Sequence, residues 1–315
     1  MKQNQVFLTG WLMKSRIVMD PKTKLYRYGD MILMTVRPTH RANDAASAQV
    51  RWDVPEVYSR NQKMIETGYL NEVSNDEDAG IGDIVFVKGN LVTADINRRF
   101  KCRHCGNVQE KPASVMVYVD PIYIEAKEHD LTRLDAARIL REQKQEVSNS
   151  VTILGTVCRE VRESDFFERQ SEKGADMFQF QIAVRRPRRI PEDPPEKDAD
   201  FPWVKVYGAK AREYSKAIHK GSSLIIDGAL QTRSIVYHDI CHACGQVIEQ
   251  PGFSTEIVPY SIEYLDHCDI PFEPVDLAAY DEDRDGYQPL EESGQESVQA
   301  SGHKLDESGD ESGQI

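Results

Sequence analysis

Two cysteine pairs of identical spacing are the residues of this chain best suited to chemistry. Cys102 and Cys105 are separated by two residues and followed by glycine, and Cys241 and Cys244 repeat this CxxCG pattern. Two thiolates at this spacing can occupy one edge of a tetrahedral zinc site, and the glycine allows the tight turn between them. A structural zinc ion needs four ligands, so each pair supplies half of a site.

The division of these ligands between ions stays open at this point. The four cysteines can share one ion, each pair can combine with its mate in a second chain, or His104, His238 and His242 can complete two separate sites. A redox-active CxxC is the competing interpretation. Redox pairs favour a helix N-terminus, however, and the pattern places these pairs on hairpins flanked by strands. We therefore predict zinc as a structural cofactor with no coordination position open to water.

The residues around each cysteine pair occur twice, at a constant offset of 139 positions. The repeated positions are Gly82 and Gly221, Gly89 and Gly228, Leu91 and Leu230, Thr93 and Thr232, Val108 and Val247, Glu110 and Glu249, and Pro112 and Pro251. So many matches over one unbroken offset indicate an internal repeat, in which each copy carries one cysteine pair.

Each copy has the pattern of five strands with one helix between the third and the fourth. In the first copy the strands are predicted near Val6–Leu12, Met31–Arg37, Val50–Val54, after Gly82 and at Val115–Ala126, with the helix at Val57–Tyr69. In the second copy they are predicted near Val151–Val157, Phe178–Arg185, Phe201–Tyr207, after Gly221 and at Thr255–Leu265, with the helix at Ala209–Lys220. This order is that of an OB-fold barrel. We therefore predict a mainly all-β protein of two tandem five-stranded barrels, each with a short helix and a zinc-knuckle hairpin.

The predicted domains are residues 1–128 and 149–268, joined by a linker at 129–148 that contains a helix capped by Asp130 or Thr132. Residues 269–315 hold 14 acidic and 2 basic residues and few large apolar ones, so we predict a disordered acidic tail. The rest of the chain holds 37 basic and 38 acidic residues. A body this close to neutral can still present a basic face to nucleic acid.

Four stretches of the second copy resemble the bacterial single-stranded DNA-binding protein family. They are Asn149–Gly155, Ile182–Arg185, Trp203–Ala211 and Lys220–Leu230. The resemblance implies an OB-fold, sequence-nonspecific binding of single-stranded DNA, and an assembly of four barrels, which two copies of this chain would provide as a homodimer. Two features depart from the family: the CxxC knuckles, and the acidic Asp-Ile-Pro-Phe tip, which lies here at Asp269–Phe272 rather than at the end of the chain.

The predicted third strand of the second copy has the residues that stacking on bases requires. Val204 and Val206 alternate toward the core, which leaves rings and a cation on the outer face. The candidate nucleic-acid-binding residues there and on the adjoining strand and loop are Phe201, Trp203, Lys205, Tyr207, Gln179, Gln181, Arg185, Arg186 and Arg188, with Arg189 beyond them. Rings on an open face stack on successive bases while cations hold the backbone. The alternative is that these rings cover a subunit interface.

The first copy offers a less regular set of candidates. They are Trp11, Tyr26, Tyr28, Arg37, Arg41, Arg51 and Trp52, of which we select Arg37 and Trp52 as nucleic-acid-binding residues. The register of the third strand is ambiguous in this copy, so Trp52 fits the core as well as the outer face.

No catalytic motif competes with a binding function. The chain lacks a phosphate-cradling Gly-Lys-Ser/Thr loop, a GxSxG elbow and an HExxH helix, so we predict no enzymatic activity. It also lacks a signal-like start and an apolar run of about 18 residues, so we expect no membrane partner and a cytoplasmic, nucleoid-associated location.

We therefore predict protection of single-stranded DNA in DNA replication, recombination or mobile-element transfer, with the acidic tail docking replication or recombination proteins. The alternative function is a protein-interaction or RNA-binding OB-fold scaffold that docks through a zinc-stabilised hairpin.

Overall fold

Strands dominate the chain, as its alternating apolar pattern predicts. The computed structural model describes residues 3–38, 50–168, 175–190 and 193–266, with the backbone alone described at 96–98 and 111–114. None of the helices in these ranges has the length and apolar character needed to cross a bilayer. The acidic tail, Arg41 and the Asp269–Phe272 motif lie outside the described residues.

The first half of the chain forms barrel one. Its elements are β1 (Asn4–Met19), β2 (Tyr26–Pro38), β3 (Val50–Asp53), β4 (Glu56–Ser59), α1 (Gln62–Met64) with a π-helical turn at Ile65–Leu70, β5 (Asn75–Asp76), β6 (Ile81–Lys101) and β7 (Val108–Thr132). The sheet order β1-β2-β4-β7-β6 closes because β6 also pairs with β1. The third and last barrel strands, β4 and β7, run parallel.

The helix α2 (Arg133–Gln143) leads from barrel one into barrel two. The elements of barrel two are β8 (Asn149–Val157), a 3-10 turn at Glu163–Asp165, β9 (Phe166–Phe167), β10 (Met177–Arg185), β11 (Ala199–Asp200), β12 (Trp203–Tyr207), α3 (Ala209–Ala217), β13 (Ser223–Ile240) and β14 (Val247–Asp266). Its strands close in the same order, β8-β10-β12-β14-β13, with β12 parallel to β14. The predicted pair of five-stranded OB-fold barrels is thereby confirmed.

The third barrel strand of the first half lies elsewhere than predicted. It is β4 (Glu56–Ser59), whereas the predicted segment Val50–Val54 forms β3, which pairs with β2 alone. Pro55 separates the two strands, because proline has no N–H to continue a ladder. Val57 on β4 is buried opposite Val119, so the helix predicted to begin at Val57 begins instead at Gln62.

The two barrels are related by an internal pseudo-twofold axis. Strands β1 and β8 pair antiparallel with Val6 opposite Val151, which are equivalent positions of the two copies. Asn4 lies opposite Ile153 and Leu8 opposite Asn149, so exchanging the copies maps the ladder onto itself. The pairing joins both barrels into one sheet and one continuous apolar core.

Helix α2 packs on the outside of barrel one. The Thr132 side chain accepts a hydrogen bond from the Asp135 N–H, so Thr132 is the N-cap that the sequence offered beside Asp130. Ala136 and Leu140 are buried against Trp11 in a second apolar cluster. Trp11 is therefore a core residue and not a stacking platform.

A buried arginine–aspartate pair locks the barrels together at each of two equivalent places. Arg186 binds Asp200 through Nε (2.7 Å), and an Asp200 carboxylate oxygen accepts the backbone N–H of Thr93 in barrel one. At the equivalent place Arg37 binds Asp53, which accepts the backbone N–H of Thr232 in barrel two. Each barrel therefore contributes an ion pair that holds a strand of the other.

Removal of one of these aspartates should destabilise the protein strongly. Asp200→Ala leaves Arg186 buried with one carboxylate lost, and breaking a buried pair costs about 3–5 kcal/mol. We expect the free energy of unfolding in urea to fall by about that amount. Asp198→Ala is the matched control, because Asp198 is exposed two positions away. Equal effects of the two substitutions would contradict a locking role for the buried pair.

Candidate nucleic-acid interface and cysteine cluster

Strand β12 has the two-faced pattern predicted for it. Val204 and Val206 are buried, while Trp203, Lys205 and Tyr207 are partly buried on the outer face. On the adjoining strand β10, Gln181 lies opposite Trp203 and Gln179 opposite Lys205. Phe180, Ile182 and Val184 of β10 are buried, as predicted. The structure therefore brings the predicted rings, cation and amides together on one open face of barrel two.

Two of the aromatic rings on this face, Phe201 and Trp203, have different surroundings. Phe201 is 42% exposed, and its backbone carbonyl accepts a hydrogen bond from Gln181 Nε2 (3.0 Å). The Arg159 guanidinium lies 4.7 Å from the centroid of the Trp203 ring and is itself fixed by Asp165. The guanidinium therefore forms a cation–π contact over the indole ring and adds positive charge to this part of the face.

Lys205 and Tyr207 belong to a network built around one buried carboxylate. Glu256 is 1% exposed and pairs with Lys205 Nζ at 2.6 Å. The Tyr207 hydroxyl donates to Glu256 and accepts from Arg233. Burial raises the pKa of Tyr207, and the nearby charge of Glu256 raises it further, so the phenol stays protonated. Two cations around a single carboxylate leave this part of the face net positive.

Two of the predicted phosphate-binding arginines are structural instead. The Arg186 side chain is 3% exposed and also pairs with Asp193. Burial alone would lower the pKa of Arg186, but its hydrogen bonds to Asp200 and Asp193 outweigh that effect and raise the pKa. Arg37 is buried likewise between Asp53 and Gln231. Neither guanidinium is available to a phosphate, which corrects their prediction as nucleic-acid-binding residues.

The remaining predicted arginines, at the end of β10 and in the loop that follows it, are accessible to different degrees. Arg185 and Arg189 are exposed. Arg188 reaches across to barrel one, where it pairs with Asp120 and donates to the Pro121 carbonyl (2.9 Å). Arg188 therefore combines an interbarrel contact with a half-exposed guanidinium.

Barrel one presents a tyrosine stack at the equivalent place. Tyr28 and Tyr58 are stacked with ring centroids 5.3 Å apart, and Tyr118 meets Tyr58 edge-on at 5.1 Å. Arg16 lies over the Tyr28 ring and Arg60 over the Tyr58 ring. The three tyrosine rings contact one another, whereas Phe201 and Trp203 of barrel two form no ring–ring pair of this kind among the described residues. Trp52 stands apart from the stack on β3 and is 40% exposed.

Several residues of these faces were not predicted from the sequence: Tyr58, Arg60, Tyr118, Arg159, Arg233 and Glu256. Tyr58 was missed because the third strand was placed at Val50–Val54. A sequence signal was present, because Pro55 and Pro202 each precede a short alternating strand. In the structure, the carbonyl of each proline accepts a backbone N–H from the second strand of its barrel. Arg159 and Glu256 carry no such signal, because only the folded barrel brings them to β12.

The four cysteines form one cluster at the tips of the two long hairpins. Their four Sγ atoms all lie within 4.8 Å of one another. The close contacts run between hairpins, with 3.7 Å from Cys102 Sγ to Cys244 Sγ and 3.6 Å from Cys105 Sγ to Cys241 Sγ. Among the described residues, none of the three histidines considered above joins this cluster. The geometry therefore favours the shared four-cysteine site over the two other arrangements.

The two knuckles have the same backbone construction. The N–H of Gly106 donates to the Cys102 carbonyl, and the N–H of Gly245 donates to the Cys241 carbonyl. Both glycines have positive φ, 73° and 70°, where a side chain would be strained. The CxxCG spacing thus folds into a turn that directs both thiols of a pair to one side.

The sulfur geometry fits a tetrahedral metal ion. Sulfur ligands about 2.3 Å from a zinc ion are separated from one another by about 3.8 Å, close to the observed cross-hairpin distances. A disulfide requires about 2.05 Å, so these contacts are not bonds between sulfurs. Gln109 Nε2 also donates to Cys241 Sγ (3.1 Å), as an outer partner of a metal-bound thiolate does.

Comparison with known proteins bears on the second half of the chain. Residues 148–239 match the model of the Single-strand binding protein family. No curated protein sequence matches the chain. Among solved structures, the wild-type single-stranded DNA binding protein from Thermus aquaticus is similar at 17% identity and a TM-score of 0.49, covering 86% of this chain and 98% of that one. A deletion variant of the same Thermus aquaticus protein is similar at 20% identity and a TM-score of 0.48, covering 86% and 97%. The family resemblance predicted from the sequence is confirmed for residues 148–239, which include most of barrel two and match the single-strand binding protein family model.

Proposed function

We propose that this protein binds single-stranded DNA without sequence preference, through the outer face of β12 in barrel two. The observation that carries the proposal is the set of outward rings on a strand that lies inside the family match. Trp203, Phe201 and Tyr207 supply surfaces on which any base can stack, since every base has a π-face. Lys205, Arg233, Arg159 and Arg185 supply the positive charge that follows the backbone.

The polar contacts of the face explain why binding would tolerate any sequence. The amide of Gln181 is engaged with the Phe201 carbonyl, and the Tyr207 hydroxyl with Glu256 and Arg233. Groups that are occupied within the protein are poorly placed to read base edges. We infer that the protein's function is binding rather than catalysis. We also infer that this binding serves DNA replication, recombination or mobile-element transfer, in the cytoplasm at the nucleoid.

Titration with poly-dT tests this proposal. Tryptophan fluorescence should be strongly quenched as bases stack on Trp203, with a site size of many nucleotides. The logarithm of affinity should fall linearly with the logarithm of salt concentration, with a slope of about −2 if three phosphates are contacted. Unchanged fluorescence at saturating poly-dT, or an affinity that does not change with salt concentration, would contradict the proposal.

The alternative function as a docking scaffold is favoured by one observation on the second hairpin. Val236, Ile240, Val247 and Phe253 are all more than half exposed, and cross-strand pairing places them on one face of the β13–β14 arm. An apolar stripe of this kind suits a protein partner. A scaffold would leave the fluorescence of Trp203 unchanged on addition of poly-dT, so the same titration separates the two functions.

The cysteine cluster would hold one structural zinc ion per chain. Cys102, Cys105, Cys241 and Cys244 would supply all four ligands, and zinc would contribute a rigid cross-link between the hairpin tips. With every position filled by sulfur, no water is left to activate. The chain would present four thiolates to the ion, and the Gln109 amide would stabilise the charge on Cys241.

Barrel one would act mainly as the structural mate of barrel two. Its tyrosine stack is closed on itself, and its Arg37 and Trp11 are committed to buried contacts. Trp52 is the one residue of its predicted set that we retain in the interface. The domains we propose are residues 1–128 and 149–268 with a linker at 129–148, and two chains would assemble as a homodimer. The acidic tail, residues 269–315, would dock replication or recombination proteins.

A further inference from the structure

A buried carboxylate lies beside the candidate DNA-binding face, where a negative charge opposes the binding of phosphates. Glu256 is 1% exposed, on β14 next to β12. Two of the cations that we assign to the DNA backbone approach it, with Lys205 Nζ at 2.6 Å and Arg233 Nε at 3.6 Å. A phosphate of bound DNA would approach the same two cations, so it would compete with Glu256 for them.

Glu256 is held in position by a chain of buried groups that begins in barrel one. Arg37 Nη2 donates to Gln231 Oε1 (2.6 Å), and Gln231 Nε2 donates to Glu256 Oε1 (3.0 Å). A guanidinium can only donate, so it takes the amide oxygen of Gln231 and leaves the amide N–H to face the carboxylate. Arg37 is itself paired with Asp53. The carboxylate is therefore anchored by groups that lead from one barrel to the other.

Barrel one replaces both the cation and the carboxylate at the equivalent positions. The parallel pairing of β4 with β7 has the same register as that of β12 with β14. In this register Tyr58 is the equivalent of Lys205, and Tyr118 is the equivalent of Glu256. The two tyrosine rings meet edge-on at 5.1 Å, so two neutral groups make the contact there. Cation and carboxylate are replaced together, as expected of residues that act as a pair.

We infer that Glu256 sets the strength of DNA binding, as an internal counter-ion with which the phosphates compete. The inference rests on the DNA-binding function proposed above and concerns the regulation of the same site. In the free protein Glu256 orients Lys205 and Arg233 and offsets one of their two charges. In the complex its charge remains beside the phosphates and repels them. Glu256 therefore holds the affinity below the value that the two cations alone would give.

Replacement of Glu256 by glutamine tests the inference. Glu256→Gln keeps the size of the side chain and an oxygen for the Tyr207 hydroxyl, and removes the charge. Oligo-dT should bind about threefold to tenfold more tightly at low salt, because a negative charge near the phosphates is lost. The salt slope should become steeper by about 0.7 for each further phosphate that the released cations contact. Affinity and slope equal to those of the wild type, or weaker binding, would overturn the inference.

Two further variants separate the charge of Glu256 from its structural contacts. Glu263→Gln is the matched control, because it removes an exposed carboxylate from the same strand, and it should leave affinity and slope unchanged. Glu256→Asp keeps the charge and should keep the wild-type salt slope. A slope that steepens equally in all three variants would show that the effect does not come from the charge at Glu256.

A last comparison guards against loss of folding in Glu256→Gln, which leaves Lys205 without its partner while its side chain is 15% exposed. The double variant Lys205→Gln with Glu256→Gln removes both charges and leaves neither ion buried alone. It should bind oligo-dT about threefold more tightly than Lys205→Gln does, and equal binding overturns the inference. Wild-type protein that does not bind oligo-dT overturns the DNA-binding function itself. Wild-type protein that binds, with variants that bind no more tightly, overturns only the role of Glu256.

Discussion

Replacement of Trp203 by alanine should weaken binding of poly-dT by about 5- to 150-fold. This range corresponds to about 1–3 kcal/mol for the loss of one stacked base. The ring lies partly buried on the outer face of β12 between the buried Val204 and the loop that carries Phe201, so its removal opens no cavity in the core. The measurement is a salt-controlled titration by fluorescence anisotropy of labelled oligo-dT, which does not depend on the tryptophan signal.

Two further variants identify stacking as the cause. Trp203→Phe keeps a ring at the site and should retain most of the affinity. Tyr58→Ala removes a ring from the closed stack of barrel one and should change affinity much less than Trp203→Ala does. Unchanged thermal unfolding of Trp203→Ala is required for its reduced affinity to report on binding. If Trp203→Ala binds as tightly as the wild type, β12 is not the stacking surface.

Replacement of either cysteine pair by serine should remove the metal completely. In a shared site, Cys102→Ser with Cys105→Ser leaves only two ligands, too few for a structural zinc ion. The zinc content should therefore fall from one ion per chain to none, and the same result is expected for Cys241→Ser with Cys244→Ser. Plasma emission spectrometry of protein purified with zinc measures both.

The local consequence should be looser hairpin arms around intact barrels. Limited proteolysis should cut the metal-free variants near the knuckles faster than the wild type, while the barrels, whose cores lie elsewhere, remain folded. Cys158→Ser is the control, because Cys158 lies outside the cluster. Two ions per chain in the wild type, or one ion remaining after loss of one pair, would show separate sites and contradict the shared cluster.

The fold could be predicted where the same strand and cysteine pattern occurs in both copies of the repeat. The 139-residue offset located both hairpins and both knuckles, and the alternation at Trp203–Tyr207 located the outer face of barrel two. The third strand of barrel one was not predictable with the same ease. Two short segments flank Pro55 there, and only pairing with β7 shows that the second is the barrel strand.

The candidate site was predictable by residue type and not by partner. A sequence shows that Arg186 and Arg37 are cationic, but the aspartates that bury them come from strands packed only in the folded chain. The shared cysteine cluster was likewise predictable by residue type, but the sequence did not show which cysteines come together. Its formation depends on the antiparallel pairing of β1 with β8, which brings the two hairpin tips together and has no signature in either repeat alone.

Photochemical crosslinking of bound oligo-dT, followed by peptide mapping, tests the central claim most directly. The claim predicts that the crosslinked peptide of barrel two spans 201–207, with Trp203, Phe201 or Tyr207 as the modified residue. Crosslinks confined to the hairpin arms or to barrel one, with none in 201–207, would contradict it.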